Sequence, residues 1–138
     1  MFDQCLYFNT TALARVLERE WSRAFKPFGL TPAQAFTLRS VLAHPGMLQG
    51  ELAAQMVIQR PTATRVLDGL QKLGLVDRRG TGGDARELAI FPTEAAIAIG
   101  PDLNAASGDV TRRLKKTLGA EQFALVVSGV KNTRTSLD

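Results

Sequence analysis

Residues 60–93 read RPTATRVLDGLQKLGLVDRRGTGGDARELAIFPT, and this stretch decides the fold. Arg60-Pro61 opens a helix, because the fixed φ of proline suits a first helical turn, where its missing N–H has no partner to lose. From there to Gly74, Ala63, Val66, Leu67, Leu70 and Leu73 recur at spacings of three and four and share one inward face. Arg60, Thr62, Thr64, Arg65, Asp68, Gln71 and Lys72 fall on the other face, which is polar and mainly basic. Residues 75–79 and 86–91 then alternate apolar and polar side chains around Gly80-Thr81-Gly82-Gly83-Asp84-Ala85. That is the pattern of a hairpin with a glycine-rich tip.

Working upstream, residues 48–56 read as a short helix with Leu52, Ala53 and Met56 inward, joined to the next helix by a tight turn at Val57-Ile58-Gln59. Thr31-Pro32-Ala33-Gln34 is a capping box with proline at the first helical position. The helix it starts carries Ala35, Phe36, Leu38, Val41 and Leu42 and stops at His44-Pro45-Gly46. Residues 9–28 form an amphipathic helix with Leu13, Val16, Leu17, Trp21, Ala24, Phe25 and Phe28 on one side. Downstream, Thr93 caps a helix from Glu94, and Gly100-Pro101 is expected to interrupt it near Ile99. Residues 103–118 and 120–130 read as helical, the latter apolar at Phe123, Val126, Val127 and Val130, and the tail from Lys131 is expected to be loose. Strands and helices do not alternate as in a parallel sheet. The expectation is one domain over residues 1–138, mainly α with a small β-wing (α+β), in which residues 31–91 form the central lobe. The terminal helices, within 1–28 and 94–138, have apolar stripes that a second copy of the chain would bury in a two-fold dimer.

A chain of 138 residues removes roughly two-thirds of its unfolded surface from water, enough for a real core. With 45% hydrophobic and 22% charged residues, wholesale disorder is not expected. No run approaches the ~18 consecutive apolar residues of a membrane span, and the N-terminus lacks the basic and apolar regions of a signal peptide, so a cytoplasmic protein is expected. Single Cys5 and single His44 give no disulfide and no metal-ligand cluster; no metal or cofactor is expected. His44 sits in a breaker without an acid or nucleophile beside it, and Thr81-Gly82-Gly83 lacks the strand-loop-helix setting of a nucleotide loop, so no catalytic residues are assigned and an enzyme is not expected. The formal charge is +4. Arg60, Arg65, Lys72, Arg78, Arg79 and Arg86 against Asp68, Asp77 and Asp84 concentrate +3 of it in residues 60–86, a local field suited to a polyanion.

In this order the motifs resemble the MarR (multiple antibiotic resistance regulator) family over nearly the whole chain. The segments that carry the resemblance are Gly29-Leu30-Thr31-Pro32-Ala33-Gln34, Glu51-Leu52-Ala53, residues 62–70, Gly74-Leu75-Val76-Asp77-Arg78, Asp84-Ala85-Arg86 and Pro92-Thr93-Glu94. The resemblance implies a winged helix-turn-helix homodimer that binds a palindromic site on double-stranded DNA, with recognition helices in successive major grooves and wings at the flanking minor grooves. It implies that Arg60, Pro61, Thr62, Thr64 and Arg65 face the major groove, where an arginine can bond a guanine edge bidentately. Arg79 and Arg86, the latter with Asp84, belong to the wing, where one arginine enters or borders the minor groove. Gly82 and Gly83 allow close approach to the backbone, and Gln49 offers its amide to a phosphate. The chain departs from the family pattern at Pro61 and at Gly100-Pro101.

The resemblance also implies a small phenolic or lipophilic effector between the terminal helices and the lobe, for which Leu17, Trp21, Phe36 and Leu88 are the candidate lining, and a repressor released by that effector. Cys5, near Tyr7 and the start of the first helix, offers an alternative switch by oxidation. A winged-helix module that binds protein rather than DNA is the remaining alternative; a basic outer face argues against it.

Overall fold

The basic face and the buried face of one helix set the arrangement of everything around them. The computed structural model describes residues 1–83 and 87–138. Its elements are α1 (Leu6–Phe25), a 3-10 turn (Lys26–Phe28), α2 (Pro32–Ala43), β1 (Met47–Leu48), α3 (Gln49–Met56), α4 (Arg60–Lys72), β2 (Val76–Gly80), β3 (Leu88–Pro92), α5 (Glu94–Leu118) and α6 (Ala120–Leu137). The protein is mostly helical with one small antiparallel sheet in the order β1-β3-β2. It is a winged helix-turn-helix with long helices at both ends.

The core forms where α2, α3, α4 and the sheet converge. Leu38 and Val41 of α2, Leu52 of α3, Leu67 and Leu70 of α4, Val76 of β2 and Ile90 of β3 are buried together with Phe25 of α1 and Leu103 of α5. Each such side chain contributes about 1.5–3 kcal/mol relative to exposure. Thr31 caps α2 in a reciprocal box: its hydroxyl accepts from the Gln34 amide at 3.2 Å while the Gln34 side chain accepts from the Thr31 amide at 3.0 Å. Glu51 reaches back in the same way to the Leu48 amide at the start of α3.

The hairpin is held to α4 by one ion pair. Arg78, on β2, donates to the Asp68 carboxylate at 2.5 Å and to the Gln71 side chain at 2.8 Å, and only 16% of its side chain is exposed. Both partners lie on α4, so the guanidinium fixes the angle between helix and wing. Thr93 adds a second tie, donating to the Gly74 carbonyl at 2.7 Å while it caps α5.

Several expectations from the sequence are corrected. Leu48 belongs with Met47 to a third strand rather than to the start of the following helix: Met47 pairs with Ile90 and Leu48 with Ala89, and two residues are too few for alternation to show. Leu73 is 52% exposed because it stands at the C-cap of α4, where the stripe has already turned away from the core. Gly100-Pro101 does not interrupt α5. A proline there removes the donor to the Ile97 carbonyl and costs about 3 kcal/mol, but Ala96, Gly100, Leu103, Ser107 and Val110 are all buried along the same helix, and Gly100 sits so close to Leu42 that a β-carbon would approach it to 3.3 Å. Packing outweighs propensity. The first helix begins at Leu6 rather than Asn9, with Cys5 as its cap. The tail is helical to Leu137, and within it the hydroxyls of Thr133, Thr135 and Ser136 donate to carbonyls one turn back.

The helix-turn-helix bend passes through Val57, which adopts φ 56, ψ 47 at the end of α3. A β-branched residue in the left-handed region is strained by roughly 1–2 kcal/mol, and its side chain, 54% exposed, gains little from burial. Val57→Asn, which tolerates this conformation, is expected to raise stability by about 1 kcal/mol, a shift of a few degrees in Tm at fixed protein concentration; an unchanged or lower Tm would refute the strain. Asp68→Ala removes the carboxylate from Arg78 and is expected to cost about 1 kcal/mol, since the pair is only partly buried. Amide exchange in β2 and β3 should accelerate more than in α2; uniform acceleration would show that the pair does not specifically tether the wing.

Candidate nucleic-acid interface

Burial of Ala63, Leu67 and Leu70 forces the opposite side of α4 outward. Arg60, Pro61 and Arg65 are exposed there, with Thr62 and Thr64 half-buried beside them. Neither Arg60 nor Arg65 forms an ion pair among the described residues. Arg65 makes one long contact, 3.4 Å, to the Thr62 hydroxyl one turn back. The fork of each guanidinium thus remains available to a planar acceptor pair.

Gln49 and Thr64 are brought together. The Gln49 side-chain amide donates to the Thr64 hydroxyl at 2.7 Å, and that hydroxyl donates to the Arg60 carbonyl at 3.1 Å. This chain of bonds fastens the start of α3 to the first turn of α4, so both residues also act as positioning groups. Sequence reasoning missed Gly50. A β-carbon at Gly50 would stand 3.3 Å from the Arg60 guanidinium, so the glycine leaves room for that arginine over the start of α3. A glycine near a helix start, with an arginine ten positions on, carries no sequence signal.

In the wing, Arg79 pairs across the hairpin with Ala89 and its guanidinium lies 4.3 Å from the centre of the Phe91 ring. This cation–π contact holds an exposed cation on the strand without neutralising it. Gly82, at φ 82, and Gly83 are exposed at the tip. Asp84 and Arg86 lie outside the described residues. Arg78, counted in the basic total, is spent on Asp68 and Gln71 and faces the protein.

The four residues expected to line a cleft separate into three and one. Leu17, Trp21 and Phe36 line a shallow hollow of about 500 Å³ with Met56 and Ile58, between α1, α2 and the helix-turn-helix bend. Leu88 does not join them: it opposes Gly80 at the far end of the hairpin. Cys5 is exposed and its sulfur accepts from the Phe8 amide at 3.5 Å, as the cap of α1. Among the described residues no group of acids, cysteines or histidines could hold a metal ion, and no helix is long and apolar enough to cross a membrane.

With this geometry in view, comparison with known proteins gives one consistent result. Residues 28–87 match the profile of the MarR family. The chain is 28% identical over 89 residues to the uncharacterized HTH-type transcriptional regulator YybA of Bacillus subtilis (strain 168), an alignment covering 64% of this chain and 59% of that protein; it thus spans less than two thirds of that relative. Among solved structures, the fold is similar to that of MosR, a transcriptional regulator of M. tuberculosis, with TM-score 0.83 and 25% identity over 99% of this chain and 98% of that one. It is also similar to MepR of S. aureus, solved as a DNA complex, with TM-score 0.85 and 19% identity over 96% and 98% of the two chains. Over residues 28–87 the chain is thus similar to the MarR family.

Proposed function

We propose that this protein is a sequence-specific DNA-binding transcription regulator, a cytoplasmic homodimeric repressor that leaves a palindromic operator when a small effector binds. One observation carries the reading: α4 buries one face in the core and presents Arg60 and Arg65 on the other, with no carboxylate pairing either among the described residues. A helix so oriented enters a major groove, the arginines reading guanine edges while Gln49 and Arg79 contact phosphates or the minor groove. Gly82 and Gly83 would extend the contact from the wing tip, and Asp84 and Arg86 are assigned to the same contact on the sequence motif. MepR was solved bound to DNA, which supports this mode of docking for the same fold.

The dimer is supported by unpartnered apolar surface. Leu6, Tyr7, Leu13 and Val16 of α1 and Leu125, Val127 and Val130 of α6 are all more than 40% exposed, and α6 buries no residue within its own chain. Helices of this length with bare apolar stripes lie on a partner. A second copy supplies the same stripes by two-fold symmetry and spaces two recognition helices for adjacent grooves.

Binding to a duplex from the protein's own upstream region, followed by fluorescence anisotropy across a salt series, tests the proposal. Preference over a scrambled duplex, with an affinity that falls steeply with salt, is expected of a species of twice the 14.9 kDa chain mass. Arg65→Ala should weaken specific binding by about tenfold or more and relax base preference, whereas Arg79→Ala should weaken all duplexes alike and lower the salt slope by about 1. Absence of any preference on genomic fragments, or an Arg65→Ala protein that discriminates as well as the parent, would overturn the assignment.

A further inference from the structure

Helix α5 runs from the central lobe into the terminal helices, and it is weakest where it leaves the lobe. Pro101 has no N–H to give the Ile97 carbonyl, so one rung of the helical ladder is missing there, directly after Gly100. Helices bend sharply at such places. Upstream of the gap α5 is seated on the lobe: Ala96 is buried, and Gly100 lies so close to Leu42 of α2 that a β-carbon would stand 3.3 Å from the leucine side chain. Downstream it is bound to α1. The Trp21 indole donates to the Ser107 hydroxyl at 3.1 Å, and Arg113 lies 3.7 Å from the Glu20 carboxylate. The missing rung therefore separates a part of α5 that belongs to the lobe from a part that belongs to the terminal helices.

One side chain crosses the gap. Arg39 projects from α2, its Nε donating to the Asn104 side-chain oxygen at 2.7 Å and its Nη1 to the Ser107 hydroxyl at 3.0 Å. The Phe36 ring, one turn back on α2, lies 5.0 Å from the guanidinium and steadies the arm. Among the described residues these are the only side-chain hydrogen bonds or ion pairs that join residues 31–91 to residues 1–28 or 94–138. Leu103, also beyond the proline, is buried in the core. Apolar contact has no directionality and tolerates a small rotation; paired hydrogen bonds do not. The partners of Arg39 are all neutral, so removing its donors breaks the link without stranding a buried anion.

We propose that Arg39 is a latch across a hinge at Gly100-Pro101, and that by holding the two parts of α5 at one angle it sets the half-site spacing that the dimer accepts. The second clause rests on the regulator reading above; the latch itself does not. In a two-fold dimer each lobe swings about its own hinge, so a small bend becomes a change in the distance between the two recognition helices. Arg39 touches neither base nor phosphate in this role and is a positioning residue.

Hydrogen–deuterium exchange of the full-length protein, read in peptides covering residues 97–108, tests the latch without DNA. Arg39→Met keeps the aliphatic stem and removes the donors, and exchange there is expected to rise about tenfold relative to α2, the scale of one hydrogen bond. Asn104→Ala, at an exposed position that leaves the core intact, should speed exchange as well. Alanine is the better helix former, so propensity alone would slow it. Pro101→Ala restores the missing rung, and a chain carrying both Arg39→Met and Pro101→Ala should exchange as slowly as the parent.

The spacing clause is read by anisotropy on the upstream duplex and on versions with one or two base pairs inserted at its centre. Arg39→Met should shrink the difference in affinity between the original and the lengthened duplexes several-fold, and adding Pro101→Ala should restore it. Exchange unchanged in Arg39→Met and Asn104→Ala, or raised equally in α2 and α5, would overturn the latch. Affinity lost in equal proportion at every spacing would overturn its part in setting the spacing. A protein with no preference for any duplex would remove the regulator reading alone, since the exchange result still decides the latch.

Discussion

Helix α4 must hide Ala63, Leu67 and Leu70 from water, and it does so against α2, α3 and the sheet. Because those residues repeat every three or four positions, burying them fixes the rotation of the helix about its axis, and with it the direction of Arg60 and Arg65. The hydrophobic effect, which has no directionality of its own, thus aims the polar side chains. The remaining degrees of freedom are removed by polar contacts at either end: Gln49 to Thr64 at the start, Arg78 to Asp68 and Gln71 toward the wing. Core side chains decide which face is outward; the tethers decide the angle at which neighbouring elements meet it.

Much of this was legible in the sequence because it obeys short periods. The helices, the Thr31 box, the glycine-rich hairpin tip and the apolar stripe of α4 each declare themselves within a window of a dozen residues. What was not legible depends on partners distant along the chain. The strand at Met47-Leu48 exists only because β3 offers it hydrogen bonds. The continuity of α5 through Pro101 depends on how Gly100 meets Leu42, and the role of Arg78 on an aspartate in another element. Leu88 looked like an apolar residue near a cleft, but its register opposite Gly80 carries it to the hairpin.

The same division applies to the surface. Charge counting located the basic stretch, yet it gave six arginines and lysines in residues 60–86 a common meaning that they do not share. Arg78 is structural, Arg79 rests on Phe91, and Arg60 and Arg65 carry no carboxylate among the described residues. Conversely Arg39, unremarkable in a helix read for its leucines, is set apart by the neutrality of what surrounds it.

The strand order β1-β3-β2 has a consequence for assembly of the chain on the ribosome. Strands β1 and β2 do not touch in the sheet; each pairs only with β3, the last of the three to be synthesised. The pairing of Met47 with Ile90 closes a loop of roughly forty residues, and such non-local closures come late and slowly. Until Leu88–Pro92 emerges, the nascent chain has helices but no sheet among the described residues, so the wing is completed in a single step rather than grown strand by strand.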